Sequence, residues 1–133
     1  MNDILIVDDD PNILPALSSF IRDKQFTVRT CSSLSQAKEK LKDKIPDGIL
    51  VDLVLPDGSG LDLVDILSSE ATQIIIMTGF PSLDSAIAGV RSKAVDYLVK
   101  PIELNRLRLW LIGLNNSQKN EGTGLQVRDM VLR

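Results

Sequence analysis

At 133 residues, 44% apolar and 25% charged, the chain has the size and composition of one soluble globular domain with its own core. A net charge of −3 with no basic block gives no footprint for direct nucleic-acid binding, and no apolar run approaches the roughly 18 residues that span a bilayer. Histidine is absent, which removes imidazole acid–base catalysis and most zinc sites, and Cys31 stands alone, so no internal disulfide can form. A lone thiol suits a reducing cytoplasm, and the N-terminus lacks the basic and apolar regions of a secretory signal, so a cytoplasmic protein is expected.

The chain opens on Ile4–Val7, continuously apolar, as a strand buried on both faces should be. Asp8, Asp9 and Asp10 follow it directly. Pro11 suits the first turn of a helix with Asp10 as its N-cap, and Leu14, Leu17 and Ile21 form that helix's apolar stripe. Phe26–Thr30 alternates apolar with polar, as an edge strand does, and Leu34, Ala37 and Leu41 mark a second helix. Pro46-Asp47-Gly48 reads as a turn before the strand Ile49–Val51, and Pro56-Asp57-Gly58 as a turn after it. Leu61, Leu63, Val64 and Leu67 make a third helix. Ile74–Met77 predicts the fourth strand, and Ser82 can cap a fourth helix carrying Leu83, Ile87 and Val90. Val95–Val99 predicts the fifth strand, and Leu104, Leu107, Leu111 and Leu114 the stripe of the fifth helix. Leu109, Trp110 and Ile112 fall outside that stripe. They read as a face for a partner or, for Trp110, as a side chain folded over the domain's own edge. Residues 115–124, NNSQKNEGTG, read as a linker, and LQVRDMVLR beyond them has weak helical character.

Five strand–helix alternations imply an α/β fold, a doubly wound parallel sheet with helices on both faces. Sites in such sheets form at the carboxyl ends of the strands. The residues found there are Asp8, Asp9 and Asp10 after the first strand, Asp52 after the third, Thr78 after the fourth and Lys100 after the fifth. Singly, each has a plain reading: Asp10 as a helix cap, Asp8 and Asp9 as a solvated turn, Asp52 and Thr78 as loop caps, Lys100 as a surface lysine. Jointly they converge on one edge. Carboxylates gathered there repel by about 1 kcal/mol per pair in water and about 4 at an effective dielectric of 20. A hard divalent cation removes that cost, and Mg²⁺ commonly takes one or two carboxylates while keeping room for phosphate oxygens. The acids are therefore read as a metal cradle.

Four segments, "ILIVDDDP", "DGILVDLVLPDGSGLDL", "IIIMTGFPSLDSAI" and "DYLVKP", together resemble the response regulator receiver domain of two-component signalling, from residue 4 to about 116. The resemblance implies a flavodoxin-like five-stranded sheet in the order 2-1-3-4-5. It implies a receiver over residues 1–116, with 117–133 as a linker and tail or the start of an output domain. In function it implies a switch rather than an enzyme, one that assists its own phosphorylation and dephosphorylation. Asp52 would accept a phosphoryl group from the histidine of a kinase or phosphotransfer protein. Asp9 would bind Mg²⁺ directly, Asp8 mainly through water, and Asp52 and the backbone carbonyl of Val54 would complete the ligands. Thr78 and Lys100 would contact the phosphoryl group, and Thr78 and Tyr97 would act as switch residues. The output would be a changed surface over the fourth helix, fifth strand and fifth helix, through which a homodimer can form. A cis Lys100–Pro101 bond, turning the lysine back into the site, is also implied.

Two departures from the family pattern bear on loops. Gly58 and Gly60 suggest a mobile loop after the third strand, with Asp57 as an extra acid close to the site. Lys93 before Ala94 stands where the family often has glycine, which removes a left-handed helix cap. Two rival readings fit the residues less well. A haloacid-dehalogenase-like phosphatase needs a second Asp two residues after the nucleophile, and position 54 is Val54. A scaffold that only binds partners does not need the intact set Asp9, Asp52, Thr78 and Lys100.

Overall fold

A computed structural model describes residues 2–91 and 96–119. Its sheet has five strands, here β1 (Asp3–Val7), β2 (Thr27–Cys31), β3 (Gly48–Asp52), β4 (Gln73–Thr78) and β5 (Asp96–Val99). They lie in the order β2-β1-β3-β4-β5 with every neighbouring pair parallel. The helices are α1 (Ile13–Asp23), α2 (Leu34–Asp43), α3 (Leu61–Ile66), α4 (Leu83–Arg91) and α5 (Leu104–Lys119). A 3₁₀ turn, Leu67–Ser69, extends α3. A two-residue antiparallel ladder, Val54–Leu55 against Gly58–Ser59, forms a small hairpin after β3. None of the described helices is long and apolar enough to cross a membrane.

The unbroken apolar runs follow from the two-sided burial of this sheet. Successive strand side chains point to opposite faces. Leu5, Val7, Ile49, Val51, Ile74 and Ile76 therefore pack with α2 and α3, while Ile4, Ile6, Leu50, Ile75, Met77 and Leu98 pack with α1 and α5. Each fully buried aliphatic side chain contributes about 1.5–3 kcal/mol, so two continuous layers specify the register of every central strand. Among the described residues β2 pairs with β1 alone, and its alternating sequence suits that edge. Lys100–Pro101 is cis, as expected.

Locally the chain departs from its expected elements at several points. α1 begins at Ile13 rather than at Pro11, because Pro11 and Asn12 first form a turn in which the Asp10 carbonyl accepts from the Ile13 N–H. Asp10 still serves the helix start, since its Oδ1 accepts from the Asn12 N–H at 2.9 Å. Pro46-Asp47-Gly48 forms a bend that leads from α2 into β3 rather than a closed hydrogen-bonded turn. Asp47 N–H donates to the Asp3 carbonyl, its own carbonyl accepts from Gln73, and Gly48 already belongs to β3. Gly48 is small for a reason across the sheet, where a Cβ would sit 2.8 Å from the Trp110 ring.

Trp110 is itself core, 8% exposed and packed among Ile4, Leu50 and Leu107 on the α1/α5 side. It stands three residues beyond Leu107, and positions i+3 and i+4 share a helix face, so the buried stripe of α5 is Leu107, Trp110, Leu111 and Leu114. Leu104, Leu109 and Ile112 are exposed. On α4, Ile87 is 41% exposed rather than buried, and the side chains of Leu83 and Val90 lie outside the described part. Residues 115–119, expected as linker, continue α5 to Lys119; Lys93, Ala94 and Val95, and residues 120–133, lie outside the described residues.

Candidate functional site

β1 ends at the carboxyl edge of the sheet, and the three acids after it part ways. Asp8 is fully buried; its N–H continues the β1–β2 pairing to the Cys31 carbonyl, and its Oδ1 accepts from the Asp10 N–H at 2.9 Å. Asp9 is exposed, and Asp10 turns to the helix start. Asp52, the last residue of β3, is 5% exposed. Its Oδ1 accepts from the Val54 N–H at 3.0 Å and its Oδ2 from the Lys100 ammonium at 2.7 Å.

The same ammonium lies 2.7 Å from Asp8 Oδ2. Asp8 and Asp52 thus share one cation, and Asp8 Oδ2 has no other partner among the described residues. Oxygens of Asp8, Asp9 and Asp52 all fall within 4.8 Å of one another. Three carboxylates facing one ammonium leave the cluster negative. Burial pushes the Asp8 carboxyl above its ordinary range, more than Lys100 and the Asp10 N–H lower it. Burial alone would lower the Lys100 ammonium, but its bonds to Asp52 and Asp8 outweigh this and raise it. Three carboxylates within 4.8 Å of one another, balanced by a single ammonium, are the arrangement a hard divalent cation relieves, so these residues fit Mg²⁺.

The other expected site residues stand around this cluster. Thr78 ends β4, beside the Asp52–Met77 pair, and is fully buried. Its Oγ1 accepts from the Phe80 N–H at 3.0 Å. The Lys100 N–H donates to the Thr78 carbonyl at 2.8 Å, which joins the ends of β4 and β5. Tyr97 lies on β5 opposite Ile76, half-buried against the α2/α3 side of the core. Val54 is 54% exposed in the hairpin. β2 supplies no comparable group: Cys31 is buried and its thiol is pushed up to about 11 by that burial.

Asp57 is not an acid of this cluster. Its two carboxylate oxygens accept from the N–H groups of Leu34 and Ser35, at 2.7 and 2.9 Å, at the start of α2. Those two bonds hold its carboxyl below the ordinary range. The loop expected to be mobile is instead fastened at both ends. At its base the Gly60 N–H donates to the Leu53 carbonyl, and a Cβ on Gly60 would lie 2.2 Å from the Asp52 carbonyl oxygen. The glycine provides close approach there. The signal in the sequence was an acid in a short turn, whose distant partner no local pattern names.

Comparison with known proteins agrees with this geometry. The family model for the response regulator receiver domain matches residues 4–111. The chain is 39% identical over 106 residues to the response regulator protein PilR of Pseudomonas aeruginosa, covering 78% of this chain and 24% of that protein. It is 33% identical to the photosynthetic apparatus regulatory protein RegA of Cereibacter sphaeroides, covering 86% of this chain and 63% of that one. The chain thus spans less than two thirds of these relatives. Among solved structures, the beryllofluoride-activated NtrC4 receiver domain dimer is similar at a TM-score of 0.81 and 28% identity, over 88% of this chain and 98% of that one. A response regulator from Burkholderia pseudomallei with a phosphorylated aspartic acid and a calcium ion is similar at 0.78 and 25% identity, over 92% and 74%. Since the family match runs through all five strands and includes Asp8, Asp9, Asp52, Thr78 and Lys100, the chain belongs to the response regulator receiver domains, the phosphoryl-accepting switches of two-component signalling.

Proposed function

We propose that Asp52 is the phosphoryl acceptor and that Asp8, Asp9, Asp52 and the Val54 carbonyl would hold Mg²⁺ beside it. The observation that carries this reading is the Lys100 ammonium placed 2.7 Å from both Asp52 and Asp8, with Asp9 completing the cluster. A carboxylate oxygen of Asp52 would attack the phosphorus of a phosphohistidine on a partner kinase or phosphotransfer protein. The P–O bond forms as the P–N bond breaks, and the donor imidazole leaves. Phosphoryl transfer asks mainly for positioning and charge neutralisation. Bound Mg²⁺ would neutralise phosphoryl oxygens. Lys100 would move from its ion pair with Asp52 to the incoming phosphoryl group. The Val54 N–H orients Asp52, leaving the oxygen now held by Lys100 as the one to react.

Thr78 would exchange its bond with Phe80 for a phosphoryl oxygen, and Tyr97 would follow inward, a population shift biased by the new contact. The output face would be α4, β5 and α5, where Ile87, Val99, Leu109 and Ile112 are exposed, and a second copy could dock there. Residues 1–116 would form the receiver and 117–133 lead to an output unit, in a cytoplasmic protein. Treatment with acetyl phosphate and Mg²⁺ tests the reading. The expected result is one acid-stable, base-labile phosphoryl group, lost in Asp52→Ala, with Asp9→Asn sharply reducing Mg²⁺ binding. No mass gain would favour a scaffold, and steady phosphate release from many substrates would favour a phosphatase.

A further inference from the structure

We propose that Asp57 is a positioning residue for the phosphorylation site, clamping the tip of the Val54–Ser59 hairpin to α2 and so setting the orientation of Asp52. The inference rests on the reading of Asp52 and its neighbours given above. It begins with a second, distant cap at the start of α2. The helix already has its own cap, since Ser33 Oγ accepts from the Gln36 N–H at 3.1 Å. Asp57, twenty-odd residues away in sequence, takes the two N–H groups that remain before it, those of Leu34 and Ser35. A helix needs such groups satisfied, but water can do that at an exposed end. What water cannot do is hold a hairpin.

Leu55 anchors the hairpin in the core, but its exposed tip, residues 56–58, has no such anchor. The hairpin has only two paired residues on each side, and a two-stranded ladder of this size has little stability of its own. Pro56 and Asp57 form its turn, so the carboxylate that grips α2 sits at the very tip. Next to it the fit is close: a Cβ on Gly58, which has φ +156°, would lie 2.8 Å from Leu34 Cδ2. At the other end of the same hairpin the Val54 N–H bonds Asp52 Oδ1. A continuous path of directed bonds therefore runs from the α2 backbone through Asp57 and the hairpin to the carboxylate held by Lys100. Release of the tip would free the hairpin to tilt about its Gly60 base, and the Val54 amide and carbonyl would move with it.

The test compares Mg²⁺ affinity by calorimetry, and hydrogen exchange of the Val54 amide, in the parent, Asp57→Ala, Asp57→Asn and Ser33→Ala. Asp57→Ala should weaken Mg²⁺ binding about tenfold, the lower end for outer-shell partners of a metal site, and speed exchange at Val54. Asp57→Asn keeps an oxygen for one of the two N–H groups and should recover part of both. Ser33→Ala removes a cap from the same helix without touching the hairpin, so it should lower the melting temperature and leave both readouts at parent values. If Asp57→Ala does not fold, Asp57→Asn against Ser33→Ala carries the same comparison. Parent-like affinity and exchange in folded Asp57→Ala would overturn the inference and assign Asp57 to helix capping alone. Equal losses in the Ala and Asn variants would assign the effect to charge and also overturn it. A parent that binds no Mg²⁺ would overturn the site reading itself.

Discussion

At the scale of single residues, the site is built from groups kept in unfavourable company. Asp8 is the clearest case, a buried carboxyl that shares one ammonium with Asp52. Its proton is held more tightly in the folded state than in the unfolded chain, whose ordinary value is 3.8. The unfolded state therefore ionises first, and stability falls as pH rises from 3.8 through the raised value of Asp8. Above that window the carboxylate is charged and costs the metal-free fold. Asp8→Asn is thus expected to make the metal-free protein more resistant to urea at neutral pH, and to flatten the pH slope in that window. Mg²⁺ at about 100 times its Kd should stabilise the parent by about 2.7 kcal/mol, and Asp8→Asn much less. A variant no more stable than the parent without metal would show that Asp8 costs the fold nothing.

At the scale of elements, α5 shows how one face is divided between core and surface. Its residues Leu107, Trp110, Leu111 and Leu114 are buried, while Leu109 and Ile112 point away from the sheet. Trp110 fits because β3 opens on Gly48, where a side chain would meet the indole ring at 2.8 Å. Trp110→Ala should therefore cost about 3–5 kcal/mol in urea unfolding followed by circular dichroism. Leu109→Ala, on the exposed side of the same helix, should change stability by no more than about 0.5 kcal/mol. Comparable losses from both would mean that α5 does not pack as described. This division also narrows the partner surface: Trp110, which reads from the sequence as a candidate docking residue, is spent on the core.

At the scale of the whole molecule, the sheet brings four strand ends to one edge and leaves an exposed apolar set, Ile87, Val99, Leu109 and Ile112, on or beside α4, β5 and α5. On the proposed reading, activation would bias a balance between two arrangements; moving it from 1:99 to 99:1 would take about 5.5 kcal/mol of differential binding. Beryllofluoride with Mg²⁺, as a phosphoryl mimic, is expected to shift amide signals at Thr78, Tyr97 and Ile87 and to raise the mass measured by light scattering. Leu109→Ser with Ile112→Ser should reduce the mass change and leave the shifts at Thr78 intact. Binding of the mimic with neither mass nor signals altered beyond Asp52 would disprove the relay to this face.

The sequence alone determined the strand–helix alternation, the parallel sheet and the edge at which chemistry gathers. Burial on both faces demands unbroken apolar runs, and the residue after each run lands at the carboxyl edge by simple counting. Asp8, Asp52, Thr78 and Lys100 were legible for that reason. Three facts lay beyond such counting: the Lys100 ammonium shared by Asp8 and Asp52, the grip of Asp57 on α2, and the burial of Trp110 over Gly48. Each joins residues more than twenty positions apart, and local spacing carries no information about which distant backbone a side chain will meet. Only the closed packing of helices on the sheet, with both partners brought to one place, decided them.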